Sequence, residues 1–168
     1  MIAVETHAGP EWGSGTDWTE LAEDAVAAAI AESRHSWLVD SGAGCELSVK
    51  LASDEEVRRL NAAYRGKDKT TNVLSFPMIE ADDIDSAGRG DGPTLLGDIA
   101  VAHGVCAEEA AAHDIGLAAH AAHLIIHGAL HLIGYDHEND AAAEEMERVE
   151  IAALARLGIA HPYFATEV

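Results

Sequence analysis

"HGALHLIGYDH", residues 127–137, sets His127 and His131 four residues apart, ends an apolar run at Gly134, and brings in His137 three residues later. Four residues is about one helical turn, so on a helix the two rings share a face. Gly134 can take the left-handed backbone conformation that stops a helix and turns the chain back, which would carry His137 toward the other two. Three neutral imidazoles leave a fourth position open, the arrangement of a catalytic rather than a structural zinc. The stretch therefore predicts a helix in the second half of the chain with a metal site at its end, holding one zinc ion per chain.

Upstream, the helical pattern reaches back to Leu117 and places His120 and His123 on the same stripe. A rise of about 1.5 Å per residue puts His123 and His131 roughly 12 Å apart along the axis, so one ion cannot take both. His120 and His123 are read as hydrogen-bonded core residues or as support behind the ligands. Asp136, beside His137, is the candidate to orient a ligand imidazole or accept a proton, because ligand histidines usually have such partners. His7, His35, His103, His113 and His161 have no comparable spacing and are read as packing or surface residues. The spacing also matches the zinc protease pattern HExxHxxGxxH, except that Gly128 occupies the position of the glutamate base.

The rest of the chain alternates strands and helices. Ile2 to Glu5 reads as a short strand, and "THAGPEWGSG" after it as a loop. "DWTELAEDAVAAAIAESR" is an amphipathic helix capped by Asp17 or Thr16. "CELSVKLAS" alternates Leu47, Val49 and Leu51 with polar neighbours, the period of a half-buried strand. Ser53 and Glu56 form a capping box for "DEEVRRLNAAYR", which Gly66 stops, holding Arg65 at the helix end. "TTNVLSFPM" and "LLGDIAVA" read as two further strands separated by an acidic loop from Glu80 to Thr94, and helices are expected at Val105 to Ala112, Leu117 to Ile133 and Asp140 to Leu157. The expected fold is α+β: a small mixed β-sheet of about four strands covered by helices, in one domain over residues 1–168.

A net charge of −20 argues against nonspecific binding to nucleic acid, which depends on Lys and Arg displacing counterions. The bases are nevertheless clustered. Arg58, Arg59, Arg65, Lys67 and Lys69 are five of the ten, within a run whose one acid is Asp68. No apolar stretch is long enough to cross a bilayer, and nothing at Met1 to Glu5 reads as a signal peptide, so a soluble protein is expected, with no membrane partner. Cys45 and Cys106 are too few for a disulfide framework and too far apart to suggest a metal pair, which fits a reducing cytoplasm.

Beyond these residue-level readings, "HGALHLIGYDH" resembles the HGxLHLxGYDH signature of the YbeY endoribonuclease family. "LNAAYRGKDKTTNVLSFP" is similar to that family's second motif, with Thr70 where a proline is common, and "LLGDIAVA" to its third. The resemblance runs from about Cys45 to Tyr163 and is loose over residues 6–44. It implies a metal-dependent endoribonuclease specific for single-stranded RNA, acting on pre-rRNA at the 3′ end of the small-subunit ribosomal RNA and in ribosome quality control. It also implies ribosome or small-subunit assembly proteins as partners. The ligands it implies are His127, His131 and His137, and the functional arginine is Arg65.

The chemistry of these parts is compatible with that implication. Zinc can polarise a phosphoryl oxygen or lower the pKa of a water to about 7, supplying a nucleophile without a dedicated carboxylate. Arg65 can hold two oxygens of the scissile phosphate and stabilise the transition state, while Arg58, Arg59, Lys67 and Lys69 bind RNA. Two other classes remain open at this stage: a zinc metallopeptidase-like hydrolase, and a noncatalytic zinc-stabilised ribosome-assembly factor.

Overall fold

The computed structural model describes residues 1–160; His161 and Tyr163 lie outside the described residues. Four strands, β1 (Ile2–Ala8), β2 (Cys45–Ala52), β3 (Val73–Pro77) and β4 (Thr94–Ala102), form one sheet in the order β1-β2-β4-β3. The first three in that order run parallel, and β3 runs antiparallel along the edge of β4. Among the described residues five α-helices pack with the sheet: α1 (Trp18–Glu32), α2 (Asp54–Arg65), α3 (His103–Ala112), α4 (Leu117–Leu132) and α5 (Asp140–Arg156). The architecture is the α+β sheet-and-helix arrangement expected from the sequence.

Alternation in the strands divides the apolar side chains between two faces. Leu47, Val49, Leu51, Ile99 and Val101 point into the main core with α1, α4 and α5, whereas Ala52, Leu74, Ala100 and Ala102 form a smaller cluster with Val57 of α2. α4 is buried on most sides, by Ala121, Leu124, Ile125, Ile126, Ala129, Leu130 and Leu132. Such a helix lies inside a core rather than on its surface.

The helix ends follow local chemistry. Asp17 accepts a hydrogen bond from the Glu20 amide and Ser53 one from the Glu56 amide, each satisfying a free donor of the first turn. The reciprocal half of the capping box is not made, because the Glu56 carboxylate pairs instead with Lys50 on the neighbouring strand. Gly66 ends α2 in the left-handed conformation, its amide bonded to the Asn61 carbonyl.

Three segments differ from the sequence reading. β1 continues to Ala8, since parallel pairing with β2 extends it past Glu5. The Gly/Pro-rich stretch that follows is not simply a surface loop: Trp12 is buried, and its indole N–H donates to the Ala52 carbonyl at 3.0 Å, while Trp18 donates to the Trp12 carbonyl. Within the 80–94 loop, Ala81–Ser86 forms a short 3-10 turn that buries Ile84.

β2 pairs Glu46 with Leu95 but Leu47 with Gly97, so Leu96 is the extra residue of a β-bulge. Gly97 has φ +142, and a Cβ there would collide with the Phe76 carbonyl oxygen and lie 2.8 Å from Leu132 Cδ2 of α4. Gly97→Ala should therefore lower stability by about 1–3 kcal/mol. Urea unfolding measures this against Gly90→Ala, a site with open space around it, which should stay at the parental midpoint.

Candidate metal centre

The last turns of α4 carry His127 and His131, and the chain then reverses at Gly134, where φ is +97. The Gly134 amide bonds the His131 carbonyl, and the Tyr135 amide reaches back to the Leu130 carbonyl at 3.0 Å, closing the helix end. Tyr135 is buried. Its hydroxyl accepts the Arg34 amide at 2.8 Å, and the Arg34 guanidinium lies 4.0 Å over its ring, pinning this loop to the end of α1. His137 follows directly.

One nitrogen from each of His127, His131 and His137 lies within 4.8 Å of the others. His131 Nδ1–H donates to the Tyr135 carbonyl at 2.8 Å, which fixes the tautomer and leaves Nε2 as an acceptor facing His127 Nε2 at 3.1 Å. Burial, and next the neighbouring His127, push the His131 pKa down to about 4, so this imidazole is neutral at pH 7. A neutral, tautomer-fixed ring is the form that ligates a metal. The donor set fits a divalent cation with nitrogen preference, and the cluster can hold one.

Behind the three histidines stands Glu150 of α5, 2% exposed. One carboxylate oxygen takes His123 Nε2–H at 2.6 Å and the other faces His127 Nδ1 at 3.4 Å. Burial alone would raise its pKa, but the bonds from His123 and His127 prevail and hold it at about 2. A buried carboxylate on the far nitrogen of a ligand histidine fixes ring orientation and strengthens the ligand. Asp136 does not have that position. It is exposed and accepts the Glu138 amide at 3.2 Å, shaping the turn. The sequence carried a signal for Glu150: it sits midway between Met146 and Leu154 on the buried stripe of α5, where a lone carboxylate needs a partner.

His123 thus stands beside the site through Glu150, while His120, farther along the stripe, bonds Glu109 at 2.8 Å. Both cysteines are free and buried, and burial pushes the Cys106 thiol up to about 12. Gly128 faces the sheet, where a Cβ would lie 2.9 Å from Ile99 Cγ2, so the glutamate of the protease pattern has no room there.

Arg65 lines the same cleft as the three histidines, a space of about 760 Å³ that also includes Tyr64, Asn72 and Phe76. Among the described residues Arg65 makes no ion pair. The other bases lie outside the cleft lining. Arg58 is engaged by Glu55 at 3.2 Å and Asp68 at 2.9 Å, and Arg59 stands 4.0 Å from Glu55. Lys67 and Lys69 continue the turn after Gly66.

A family profile described as "Endoribonuclease YbeY" matches residues 14–158. The chain belongs to the YbeY endoribonuclease family. Proteins named endoribonuclease YbeY from Rhizorhabdus wittichii and Sphingopyxis alaskensis are each 51% identical to it, the first covering 99% of both chains and the second 97% of this chain and 98% of its own. A solution structure of a Thermotoga maritima protein superposes with a TM-score of 0.58 at 23% identity, over 94% of this chain and 92% of that one, a likeness of fold. The YbeY similarity includes the N-terminal stretch from residue 14, where the sequence motifs gave little lead.

Glu150→Gln keeps the shape of the side chain and removes its charge. Metal affinity should fall by about 10–100-fold while helix content is retained. Competition against a chromophoric chelator measures it, and an unchanged Kd would show that Glu150 serves packing alone.

Proposed function

We propose that this YbeY-family chain is a zinc-dependent endoribonuclease specific for single-stranded RNA. It acts in the cytoplasm on pre-rRNA, at the 3′ end of the small-subunit ribosomal RNA, and in ribosome quality control. Ribosome or small-subunit assembly proteins are its partners. The observation that carries this reading is that the convergent imidazoles line one cleft with Arg65, which makes no ion pair among the described residues.

His127, His131 and His137 would hold the ion. When bound, zinc supplies Lewis acidity toward a phosphoryl oxygen and lowers the pKa of a water to about 7. The chain's own residues supply the remaining parts. The Tyr135 carbonyl and the Glu150 carboxylate keep His131 and His127 turned with their Nε2 atoms inward. Arg65 can give two parallel N–H bonds to the nonbridging oxygens, where charge builds in the transition state. Its position at the end of α2 fixes the start of the side chain, and among the described residues no carboxylate pairs with the guanidinium. Lys67 and Lys69 provide local positive potential for the RNA backbone on an otherwise acidic chain. The overall charge of −20 favours delivery to RNA by a partner. A peptidase reading has less support, because Gly128 supplies no base and is packed against Ile99.

Purified protein should cut single-stranded RNA, stop when chelated and resume on zinc addition. Arg65→Ala should retain the metal and fold but lose about a hundredfold in kcat/KM, and His131→Ala should lose metal and cleavage together. Arg65→Ala at the parental rate with its metal in place would take Arg65 out of the mechanism.

A further inference from the structure

Tyr64 is 73% exposed although it sits one residue before Arg65 in the last turn of α2. Its ring leans on Phe76 of β3, with centroids 5.5 Å apart and planes at 59°. Tyr64, Phe76 and Pro77 line the histidine cleft and also a second groove of about 490 Å³ on the outer face of the sheet. Leu60 and Met78 add apolar wall to that groove, and Met78 is itself 59% exposed. The aromatic pair therefore forms a ridge between the metal cleft and a neighbouring apolar recess.

The charges of the recess decide what it can accept. Asp98 lines it, bonded to the Ser48 hydroxyl, and its one cation, Lys50, is already paired with Glu56. A phosphate would meet a carboxylate there without a free cation to offset it. A nucleobase is neutral and flat, buries apolar area on an aromatic ring, and can hydrogen-bond by its edge. From this ridge and its continuity with the cleft, we propose that Tyr64, supported by Phe76, is a stacking platform for one unpaired base of the RNA next to the scissile phosphate. The inference rests on the RNA-cleaving reading above and deepens it. A base inside a duplex is already stacked on its neighbours and cannot occupy the ring, so the platform also gives the site a physical preference for single strands. Stacking is largely indifferent to salt, which suits a chain whose net charge repels the RNA backbone.

The test uses the metal-loaded full chain and a short single-stranded oligoribonucleotide. Tyr64→Ala should raise KM about tenfold, the loss of one stacked base, with a smaller effect on kcat, and Tyr64→Phe should restore KM. Replacing single nucleotides by abasic residues should locate one position near the cut whose loss raises KM equally in the parent and has no further effect in Tyr64→Ala. Metal content and thermal midpoint of Tyr64→Ala should match the parent, as expected for an exposed side chain. An unchanged KM in Tyr64→Ala, or abasic effects that add to the substitution, would overturn the platform and leave the ridge to a protein partner. If the parent protein cuts no RNA, the functional reading itself fails, a result distinct from a parent that cuts RNA with a KM insensitive to Tyr64.

Discussion

The close approach of α4 to β4 is the constraint on which the site depends. With only a hydrogen at position 128, the helix backbone settles against Ile99, and the large residues around it fill the core on both sides. That depth fixes the helix's rotation. His127 and His131 then fall at the margin of the buried stripe, facing the cleft. A side chain at 128 would lift the helix and tilt both rings away. The same contact that positions two of the clustered histidines thus removes the place where a protease-like base would stand.

Around that helix the supporting groups come from distant parts of the chain. Tyr135 ties the ligand loop to the end of α1, and Glu150 of α5 holds His127 and His123 from behind. Each replaces solvent around an imidazole with a fixed acceptor. The rings are thereby oriented by bonds that form on folding, so little of their rotational freedom is left.

What was legible in the sequence was local. His127, His131, Gly134 and His137 state their geometry within one short stretch, the alternation of Leu47, Val49 and Leu51 gives a strand, and Ser53 and Gly66 bound α2. What was not legible required knowing which elements meet. Asp136 is adjacent to His137 in sequence but is exposed, whereas Glu150 reaches the histidine cluster only because α5 packs beside α4. Trp12 is hidden by the same limit: glycine and proline around it signal a loop, and only the Ala52 carbonyl beneath it makes that loop part of the core. Composition alone does not separate the five clustered bases, among which the family resemblance singles out Arg65; among the described residues Glu55 and Asp68 engage Arg58 while Arg65 makes no ion pair.

The order of elements along the chain has a consequence for synthesis. Among the described residues every strand precedes Leu117, so a chain growing from its N-terminus has released all four before His127 emerges. Domains can fold as they are made, N-terminal parts first. α4 therefore emerges after every strand it packs against, and Gly128 after Ile99. Glu150 arrives last. The cluster that could hold a metal is thus synthesised after the sheet that lies beneath it.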